Sequence, residues 1–522
     1  MKRVFSQVLS VFAVVCLIFF TTLVSVASHF EEGVFEKMVN YAGLLDESEI
    51  IPGTLLVKYK QGVRAAEKNQ LILGYQITKS QSMTRTLGIE KIYFKGDLSS
   101  TIDLCRALNK DPRVEYADLN VWFYLSYVPN DPWAIDDGNY TDGNPDQFWL
   151  SRVDAHNGWD YTTGDPDIVI AIIDSGVDLD HPDLAANIWT NPGEIPGNGI
   201  DDDGNGYVDD VHGYDFAGSA VGALFGDVDD EDSNPDVFYP DPSCGNGIDD
   251  NWLDGAADPG VGHGTHCAGL AAGVMDNGVG ITGVSGHCSI MAVRVMNAEG
   301  SGQPGDIVAG IEYAVAAGAD VISMSLGMAR SWIGAPAGME DACNLAYQNG
   351  IPVIAASGNG ASDGSSNGVS FPAAFASTFA VGSCNTLNQR SRFSDFGGAT
   401  GSYTDVDVCA FGGEINAAGD GIEEGIWSTY VVSVAGAGNG YNAGDSVYAG
   451  AVGTSMATPE VAGLAGLVKS MNPNLSAAQV YNYMRDGAVD IGAPGWDEET
   501  GYGKFNLELT LAPLASATAS IN

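Results

Sequence analysis

From residue 167 onward, short apolar runs alternate with stretches of helical periodicity, and this alternation limits the folds open to the chain. The apolar runs are 168–174, 319–325, 352–356 and 378–382, and the helical stretches are 306–318, 339–349 and 455–471. Strands that are buried on both faces have this composition, because an exposed face would place a polar residue at every second position. The sequence therefore predicts an α/β fold with a doubly wound, mostly parallel sheet and helices on both faces.

The first 28 residues have the composition of a secretory signal peptide. Lys2 and Arg3 precede an apolar stretch at 8–24, and small residues end near Ser28. A membrane anchor is the alternative, but the apolar stretch is short for a spanning helix. We expect export, removal of this segment, an extracellular location and no membrane attachment afterwards.

Residues 29–126 predict a separate small α+β domain. Residues 54–60 alternate as a strand, 101–108 have the pattern of an amphipathic helix, and 113–124 form a last strand. We expect the large domain to occupy 127–513, followed by a tail of small residues at 514–522.

The net charge of −45 is unevenly distributed along the chain. Residues 1–125 carry 14 basic and 13 acidic residues, and the remainder carries the other 8 of 22 basic and 54 of 67 acidic residues. The negative electrostatic field of residues 126–522 would repel phosphate backbones, so nucleic acid is not an expected partner. It suits bound calcium, high salt or both.

The acidic insertion at 189–260 contains 17 acidic residues between 201 and 258 and no basic residue there. Its oxygen ligands have the spacing of an EF-hand calcium loop, with Gly206 at position 6 but His212 instead of Glu at position 12. The candidate calcium ligands are Asp201, Asp203, Asn205, Tyr207 and Asp209. A solvated acidic turn is the alternative, and 227–236 and 249–254 are weaker candidates.

Three motifs in the order Asp, His, Ser indicate nucleophilic catalysis. Asp174 ends an apolar run, and His263 lies near the start of the Gly-rich segment 262–269. Ser455 lies in the segment Gly-Thr-Ser-Met-Ala-Thr-Pro at 453–459. A serine hydroxyl becomes a useful nucleophile only when a base takes its proton and a carboxylate orients that base. The motif predicts that Pro459 falls in the first turn of the following helix, where its missing N–H is harmless.

On these motifs, the chain resembles the subtilase family of secreted serine endopeptidases over about residues 130–513. The resemblance implies that Asp174, His263 and Ser455 form the triad, with His266 and His181 structural. It also implies an oxyanion hole made by the Asn359 side-chain amide and the Ser455 backbone N–H.

The same resemblance implies further sites and partners. Substrate peptides would pair with the edge formed by Ser325, Leu326 and Gly327. A second calcium site would use Asp183, Asn277 and the carbonyls of Val279 and Ile281. Residues 29–126 would be an inhibitory prosegment, cut near 124–128, although a permanent accessory domain is the alternative.

Six cysteines remain after removal of the predicted signal peptide and prosegment: Cys244, Cys267, Cys288, Cys343, Cys384 and Cys409. An exported chain permits disulfides, and six cysteines allow 15 pairings that the sequence does not distinguish. We expected Cys267 to be a buried free thiol. Two positions differ from the usual family pattern, since Glu460 replaces His and Phe411 replaces Pro.

These features predict a secreted, monomeric, calcium-stabilised serine endopeptidase that hydrolyses proteins or peptides and is made as an autoprocessed precursor. A catalytically silent calcium-binding scaffold of the same fold is the main alternative. An α/β-hydrolase esterase is disfavoured, because such enzymes have the order Ser, Asp, His, whereas the serine comes last here. They also carry a Gly-x-Ser-x-Gly motif, and this chain has Ala457 in place of its final glycine.

Overall fold

The computed structural model describes residues 50–84, 87–121, 127–134, 147–217, 233, 235, 262–297, 300–330, 335–361, 368–397, 403–415, 422–431 and 448–519. The predicted signal peptide, most of the predicted cleavage region, the acidic segments at 227–236 (apart from two residues) and 249–254, Cys16 and Cys244 lie outside these residues. The chain divides into two compact units, 1–125 and 126–522.

The first unit is a four-stranded antiparallel sheet with two helices. Its elements are β1 (Ile50–Tyr59), α1 (Ala65–Gly74), β2 (Ile77–Ser82), β3 (Ile89–Phe94), α2 (Leu98–Asn109) and β4 (Val114–Val121). The strand order is β2-β3-β1-β4. Its small core includes Leu55, Val57, Ile92 and Leu108, all fully buried. The unit therefore has its own apolar centre.

The second unit holds the parallel sheet and the helices that cover it. Its strands are β5 (Val169–Asp174), β6 (Gly213–Asp215), β7 (Ser289–Arg294), β8 (Val321–Met324), β9 (Val353–Ala356), β10 (Thr378–Cys384), β11 (Val408–Phe411), β12 (Glu414–Ile415), β13 (Ile422–Glu424), β14 (Ile426–Thr429) and β15 (Tyr448–Ala451). Its helices are α3 (Trp149–Arg152), α4 (Ala155–Trp159), α5 (His263–Ala272), α6 (Pro304–Ala316), α7 (Ala337–Gln348), α8 (Thr454–Met471), α9 (Ala477–Asp486) and α10 (Leu507–Ala519).

Seven strands form one sheet in the order β11-β10-β9-β8-β5-β7-β6. Every neighbouring pair in it is parallel. The predicted doubly wound α/β fold is therefore confirmed, and β6, β7 and β11 add strands that the sequence analysis did not identify. Two antiparallel pairs, β12-β13 and β14-β15, lie outside this sheet.

Helices cover both faces of the sheet, as the contacts of β5 show. Gly466 of α8 packs against Ile170, and Gly264 of α5 packs against Asp174, whereas Gly310 of α6 packs against Ile173. Side chains at even and odd positions of a strand point to opposite faces. Helices α5 and α8 therefore share one face, and α6 lies on the other.

The carboxyl ends of the parallel strands carry the chemistry-bearing residues. Asp174 ends β5, Ser325 directly follows β8, and Asn359 follows β9 by three residues. In open α/β sheets, ligands bind at this edge. Among the helices that the structure describes, none is both long and apolar enough to cross a lipid bilayer.

Candidate active site

Asp174 and His263 form a direct side-chain pair. Asp174 Oδ1 lies 2.7 Å from His263 Nδ1 and also accepts a hydrogen bond from the Ser175 N–H at 2.8 Å. The Asp174 side chain is 1% exposed and the imidazole 29% exposed. The carboxylate thus lies behind a ring whose outer edge reaches solvent, which is the arrangement that orients a general base.

The carboxylate also sets the proton affinity of the imidazole. Burial alone would lower the pKa of His263, but the Asp174 carboxylate opposes this effect, and the pKa of His263 lies well above its usual value. A neutral base at this position therefore requires a pH above the ordinary histidine range.

His266 lies on the same helix as His263 but does not face the same groups. Its Nε2 lies 3.1 Å from both the Ile426 and the Ala449 carbonyl oxygens, so this nitrogen is the donor. Burial lowers the pKa of His266 to about 4. A fully enclosed, neutral ring that holds β14 and β15 has a structural role.

Ser455 is the second residue of α8, at the amino-terminal end of the helix where unpaired N–H groups and the positive end of the dipole favour negative charge. Its Oγ donates to the Ser325 carbonyl at 3.1 Å, and Ser325 Oγ donates to the Ser455 carbonyl at 2.8 Å. Among the described residues, Ser455 makes no hydrogen bond to His263. In this structure, the Ser455 hydroxyl is therefore bound to the predicted substrate-binding segment.

The prediction for Pro459 is wrong, because this residue lies beyond the first turn of α8. An N–H at this position would bond to the Ser455 carbonyl four residues earlier. Since proline has no N–H, that carbonyl is available, and it accepts from Ser325 Oγ and, at 3.5 Å, from Cys267 Sγ. The proline thus frees an acceptor that ties the serine backbone to two neighbouring elements.

Asn359 lies beside the amino-terminal end of α8. Its Oδ1 accepts hydrogen bonds from the Thr454 N–H and hydroxyl, both at 2.9 Å. A Cβ on Gly453 would lie 3.3 Å from Asn359 Nδ2 and 3.6 Å from the Ser455 nitrogen. Both nitrogens therefore border the same small space, which suits them as paired donors to one oxygen.

The three predicted substrate-binding residues form a continuous segment after β8. Leu326 is 5% exposed and anchors the segment in the core, whereas Gly327 is exposed. The segment ends at Met328, which exchanges backbone hydrogen bonds with Phe371 at 2.8 and 3.0 Å. Its two ends are thus fixed by Ser455 and Phe371.

The residues of the second predicted calcium site meet in one loop. Asp183 Oδ1 accepts from Asn277 Nδ2 at 2.6 Å, and Asp183 Oδ2 accepts from the Ile281 N–H at 2.9 Å. Asn277 Oδ1 accepts from the Val279 N–H at 2.7 Å. Burial raises the pKa of Asp183 to about 6. Among the residues that the structure describes, no lysine or arginine pairs with this carboxylate, and burial is the main cause of the raised pKa.

The sequence analysis missed Asp131, which joins the same loop from the start of the second unit. Its carboxylate is 0% exposed and accepts backbone N–H groups from Asp276, Asn277 and Gly278 at 2.9–3.2 Å. Burial raises its pKa as well. No spacing signal links residue 131 to a loop 146 residues later, so only the tertiary structure reveals the pairing.

The acidic loop at 201–209 is organised partly by its own backbone. The Asp201 carboxylate accepts from the N–H groups of Gly204, Asn205 and Gly206 at 2.7–3.1 Å. Asp209 instead accepts from the Asn198 and Gly199 N–H groups. The Tyr207 ring packs edge-on against Tyr214, Phe216 and Tyr313.

Three other carboxylates converge beside this loop. Glu194, Asp203 and Asp210 each offer one oxygen, and these oxygens lie within 4.8 Å of one another. Asn205 donates to both Asp203 and Asp210, at 3.1 and 2.9 Å. Of the predicted ligand set, Asp203 and Asn205 therefore belong to this cluster, while Asp209 turns its oxygens to another loop. The sequence analysis missed Asp210 and Glu194 as members of this cluster. Asp210 directly follows the predicted ligand Asp209, and Glu194 is an acidic residue seven positions before Asp201, so both lie close enough in sequence to have been considered.

The described cysteines are all free thiols: Cys105, Cys267, Cys288, Cys343, Cys384 and Cys409. The expectation of disulfides therefore finds no support in the described residues. The five cysteines of the second unit are buried, with Cys384 and Cys409 on the neighbouring strands β10 and β11, and Cys267 matches the prediction of a buried thiol. Burial raises the pKa of the Cys267 thiol, which keeps it protonated.

Comparisons with known proteins identify the class. The subtilase family model matches residues 165–503. The chain is 31% identical to the "Halolysin-like extracellular serine protease Nep" of Natrialba magadii over 82% of this chain and 61% of that protein, so it spans less than two thirds of this relative. It is 29% identical to the "Thermophilic serine proteinase" of Bacillus sp. (strain AK1) over 90% of this chain and 91% of that protein.

A solved structure agrees with these matches. It is described as "Proteases from Pseudoalteromonas arctica PAMC 21717", shares 27% sequence identity, covers 74% of this chain and 100% of its own, and has a TM-score of 0.54. The chain belongs to the subtilase family and is a subtilisin-like serine endopeptidase.

Proposed function

We propose that this endopeptidase is secreted as an inactive precursor and hydrolyses peptide bonds in proteins through Ser455, His263 and Asp174. The observation that carries the proposal is the 2.7 Å contact between Asp174 and His263 at the sheet edge. At the same edge, Ser325 binds the start of the helix that carries Ser455. Secretion is supported by the signal-like first 28 residues and by the relative named as extracellular.

In the proposed reaction, Ser455 Oγ attacks the carbonyl carbon of a bound peptide while His263 Nε2 takes its proton. The hydroxyl must first leave the Ser325 carbonyl and turn toward the imidazole. His263 then gives the proton to the amine as the C–N bond breaks, and the acyl group stays on Ser455. A water molecule, deprotonated by His263, releases the acyl group.

The negative charge of the tetrahedral intermediate needs hydrogen-bond donors. Asn359 Nδ2 and the Ser455 N–H border one space and would donate to this oxygen. The substrate itself would extend as an added strand along Ser325, Leu326 and Gly327, with its carbonyl facing these donors.

Calcium is the proposed stabilising ion, and two clusters suit it. Asp131 and Asp183 are buried carboxylates beside Asn277 and the carbonyl-bearing residues Val279 and Ile281, so a cation would favour their charged forms. In the second cluster, Glu194 is 8% exposed, and its Oε2 is buried without a hydrogen-bond partner among the described residues. Calcium prefers carboxylate, amide and carbonyl oxygens, which both clusters supply.

The first unit is the proposed prosegment, acting as an intramolecular inhibitor until it is cut off near 124–128. Its separate core is consistent with a segment that folds by itself. The mature enzyme is proposed to be a monomer without nucleic-acid or membrane partners.

The full chain with Ser455→Ala tests the proposal. We expect this variant to accumulate as the unprocessed post-signal precursor, whereas Ser516→Ala, which alters an exposed serine, matures normally. Normal maturation of Ser455→Ala would rule out self-cleavage. Casein digestion is measured in parallel with and without a serine-directed covalent inhibitor. A wild-type protein that binds calcium but digests nothing would instead be the catalytically silent scaffold.

A further inference from the structure

The side-chain amide of Asn359, the proposed oxyanion donor, lies on a part of the chain that does little to restrain it. Asn359 is exposed, and it stands between Gly358 and Gly360, which give the backbone little conformational restraint. A side chain that stabilises a transition state must be fixed to within about 0.5 Å. The two bonds from Thr454 fix its amide oxygen, and Thr454 Oγ1 also accepts from the Gly358 N–H at 3.3 Å. Among the described residues, no hydrogen bond to Thr454 reaches the Gly360 side of Asn359.

Asp395 binds that backbone on both sides of Asn359. Its N–H donates to the Gly358 carbonyl at 2.8 Å, and its Oδ2 accepts from the Gly360 N–H at 2.9 Å. Asp395 is 3% exposed. A hydrogen bond from an N–H group to a carboxylate is shorter and stronger than one between neutral groups. Asp395 is thus bound to the residue before Asn359 and to the residue after it.

The space at Gly358 is shaped for this carboxylate. Gly358 has φ +111°, and a Cβ built on it would lie 2.6 Å from Asp395 Oδ2 and 2.6 Å from Ser370 Oγ. Any other residue would displace the carboxylate or strain the backbone. The glycine therefore permits a close approach that the bond to Gly360 requires.

The chain on either side of Asp395 is held by Arg390. The Arg390 guanidinium donates to the carbonyls of Ser391 and Ser394 at 3.0 and 2.8 Å. It also lies over the Phe396 ring, 4.3 Å from the centroid. The segment on both sides of Asp395 is therefore held by one cation, and the carboxylate has a defined position.

We propose that Asp395 is a positioning residue that holds Asn359 in its donor geometry. This inference rests on the proposed function, because it assigns Asn359 to the oxyanion hole. Asp395 does not touch the substrate in this proposal. Its effect passes through the backbone of residues 358–360 to the Asn359 amide.

A double-mutant cycle tests the proposal. Removal of one oxyanion donor costs about 10²- to 10³-fold in kcat, and its misplacement should cost part of that. We expect Asp395→Ala to lower kcat for a peptide amide about tenfold, with KM changed by less than about twofold. In the Asn359→Ala background, the same substitution should change kcat by less than about twofold, since the donor is already lost. Asp395→Asn keeps an acceptor for the Gly360 N–H and should remain within about threefold of wild type.

Asp320→Ala is the matched control. Asp320 Oδ2 also accepts a backbone N–H, from Val169 at 3.0 Å, but at the opposite end of the sheet strands. Its loss should leave kcat unchanged. If Asp395→Ala does not fold, Asp395→Glu, which keeps the charge and displaces the carboxylate, takes its place in the cycle.

Two outcomes would overturn the inference: equal losses from Asp395→Ala in both backgrounds, or a change confined to KM. Each variant is matured by a trace of wild-type protein, and an identically treated Ser455→Ala preparation gives the background rate. A wild-type protein without peptidase activity would refute the proposed function. An active wild type with additive losses would refute only the role of Asp395.

Discussion

Ser325 and Ser455 exchange hydrogen bonds, each hydroxyl donating to the backbone carbonyl of the other residue. The exchange joins the segment after β8 to the start of α8. The exchange is favoured because Pro459 offers no N–H to compete for the Ser455 carbonyl. The proposed nucleophile is therefore held through its backbone, while its hydroxyl can leave the Ser325 carbonyl during the reaction.

Loss of the Ser325 hydroxyl should reduce the rate of peptide hydrolysis. A hydrogen bond of this kind contributes about 1 kcal/mol, so Ser325→Ala should lower kcat about fivefold while KM changes little. Ser323→Ala is the control, because the Ser323 hydroxyl is buried without a partner among the described residues. Steady-state kinetics of both variants on one peptide amide measure the effect. Equal kcat values for the two variants would contradict the role of the exchange.

Asp174→Asn should change both the rate and its pH dependence. His263 acts only as the neutral imidazole, and Asp174 raises its pKa, so kcat/KM should rise with pH through a pKa above the usual histidine value. Without the carboxylate, this pKa should fall and the acid limb should move to lower pH. The rate itself should drop by about 10⁴-fold, as expected for loss of the orienting group. A pH–rate profile with an unmoved acid limb would show that Asp174 does not set the proton affinity of His263.

Glu460→Gln should stabilise the protein at neutral and alkaline pH. Glu460 is 0% exposed, its Oε2 accepts from the Phe411 N–H at 3.1 Å, and its Oε1 is buried without a partner among the described residues. Burial raises the pKa of Glu460 well above its usual value. The folded state therefore keeps a proton that the unfolded state releases above about pH 4.3.

The sign of this effect follows from that difference. The contribution of Glu460 to the free energy of unfolding is greatest at low pH. It falls by about 1.4 kcal/mol for each pH unit between the pKa of Glu460 in the unfolded state and its pKa in the folded state. Glutamine retains an acceptor for Phe411 and does not titrate. We expect the difference in Tm between Glu460→Gln and wild type to be smallest near about pH 4 and to grow as the pH rises. Glu312→Gln, an exposed change, should show no such trend. A constant difference would mean that Glu460 does not hold its proton.

Chelation should lower the Tm of the wild-type protein, because an ion that binds only the folded state stabilises it by mass action. Glu194→Gln should reduce this dependence by removing a charge from the Glu194, Asp203 and Asp210 cluster. Asp341→Asn removes the same charge from an exposed helix position and should respond to the chelator like wild type. A chelator effect of equal size in Glu194→Gln would remove this cluster from the proposed calcium sites.

The fold was largely predictable because its elements have local signatures. The runs ending at Asp174 and Ala356 are apolar throughout, and burial on both faces of a parallel sheet requires that composition. The positions of Asp174, His263 and Ser455 follow from motifs of a few residues each. Three strands of the sheet were missed: β6, β7 and β11. β6 and β11 span three and four residues, which is too short for a clear pattern, and the apolar run of β7 does not by itself distinguish a buried strand from a helix segment.

The order of the motifs, the class of fold and the identity of the groups able to do chemistry were readable from the sequence, because each of these depends on neighbouring residues. The meeting of distant groups depended on the three-dimensional fold: Asp131 and Asp183 around Asn277, Glu194 with Asp210, and Asp395 with the loop around Asn359. These contacts join segments that are separate along the chain. Packing of the whole domain, and not local preference, brings these groups together.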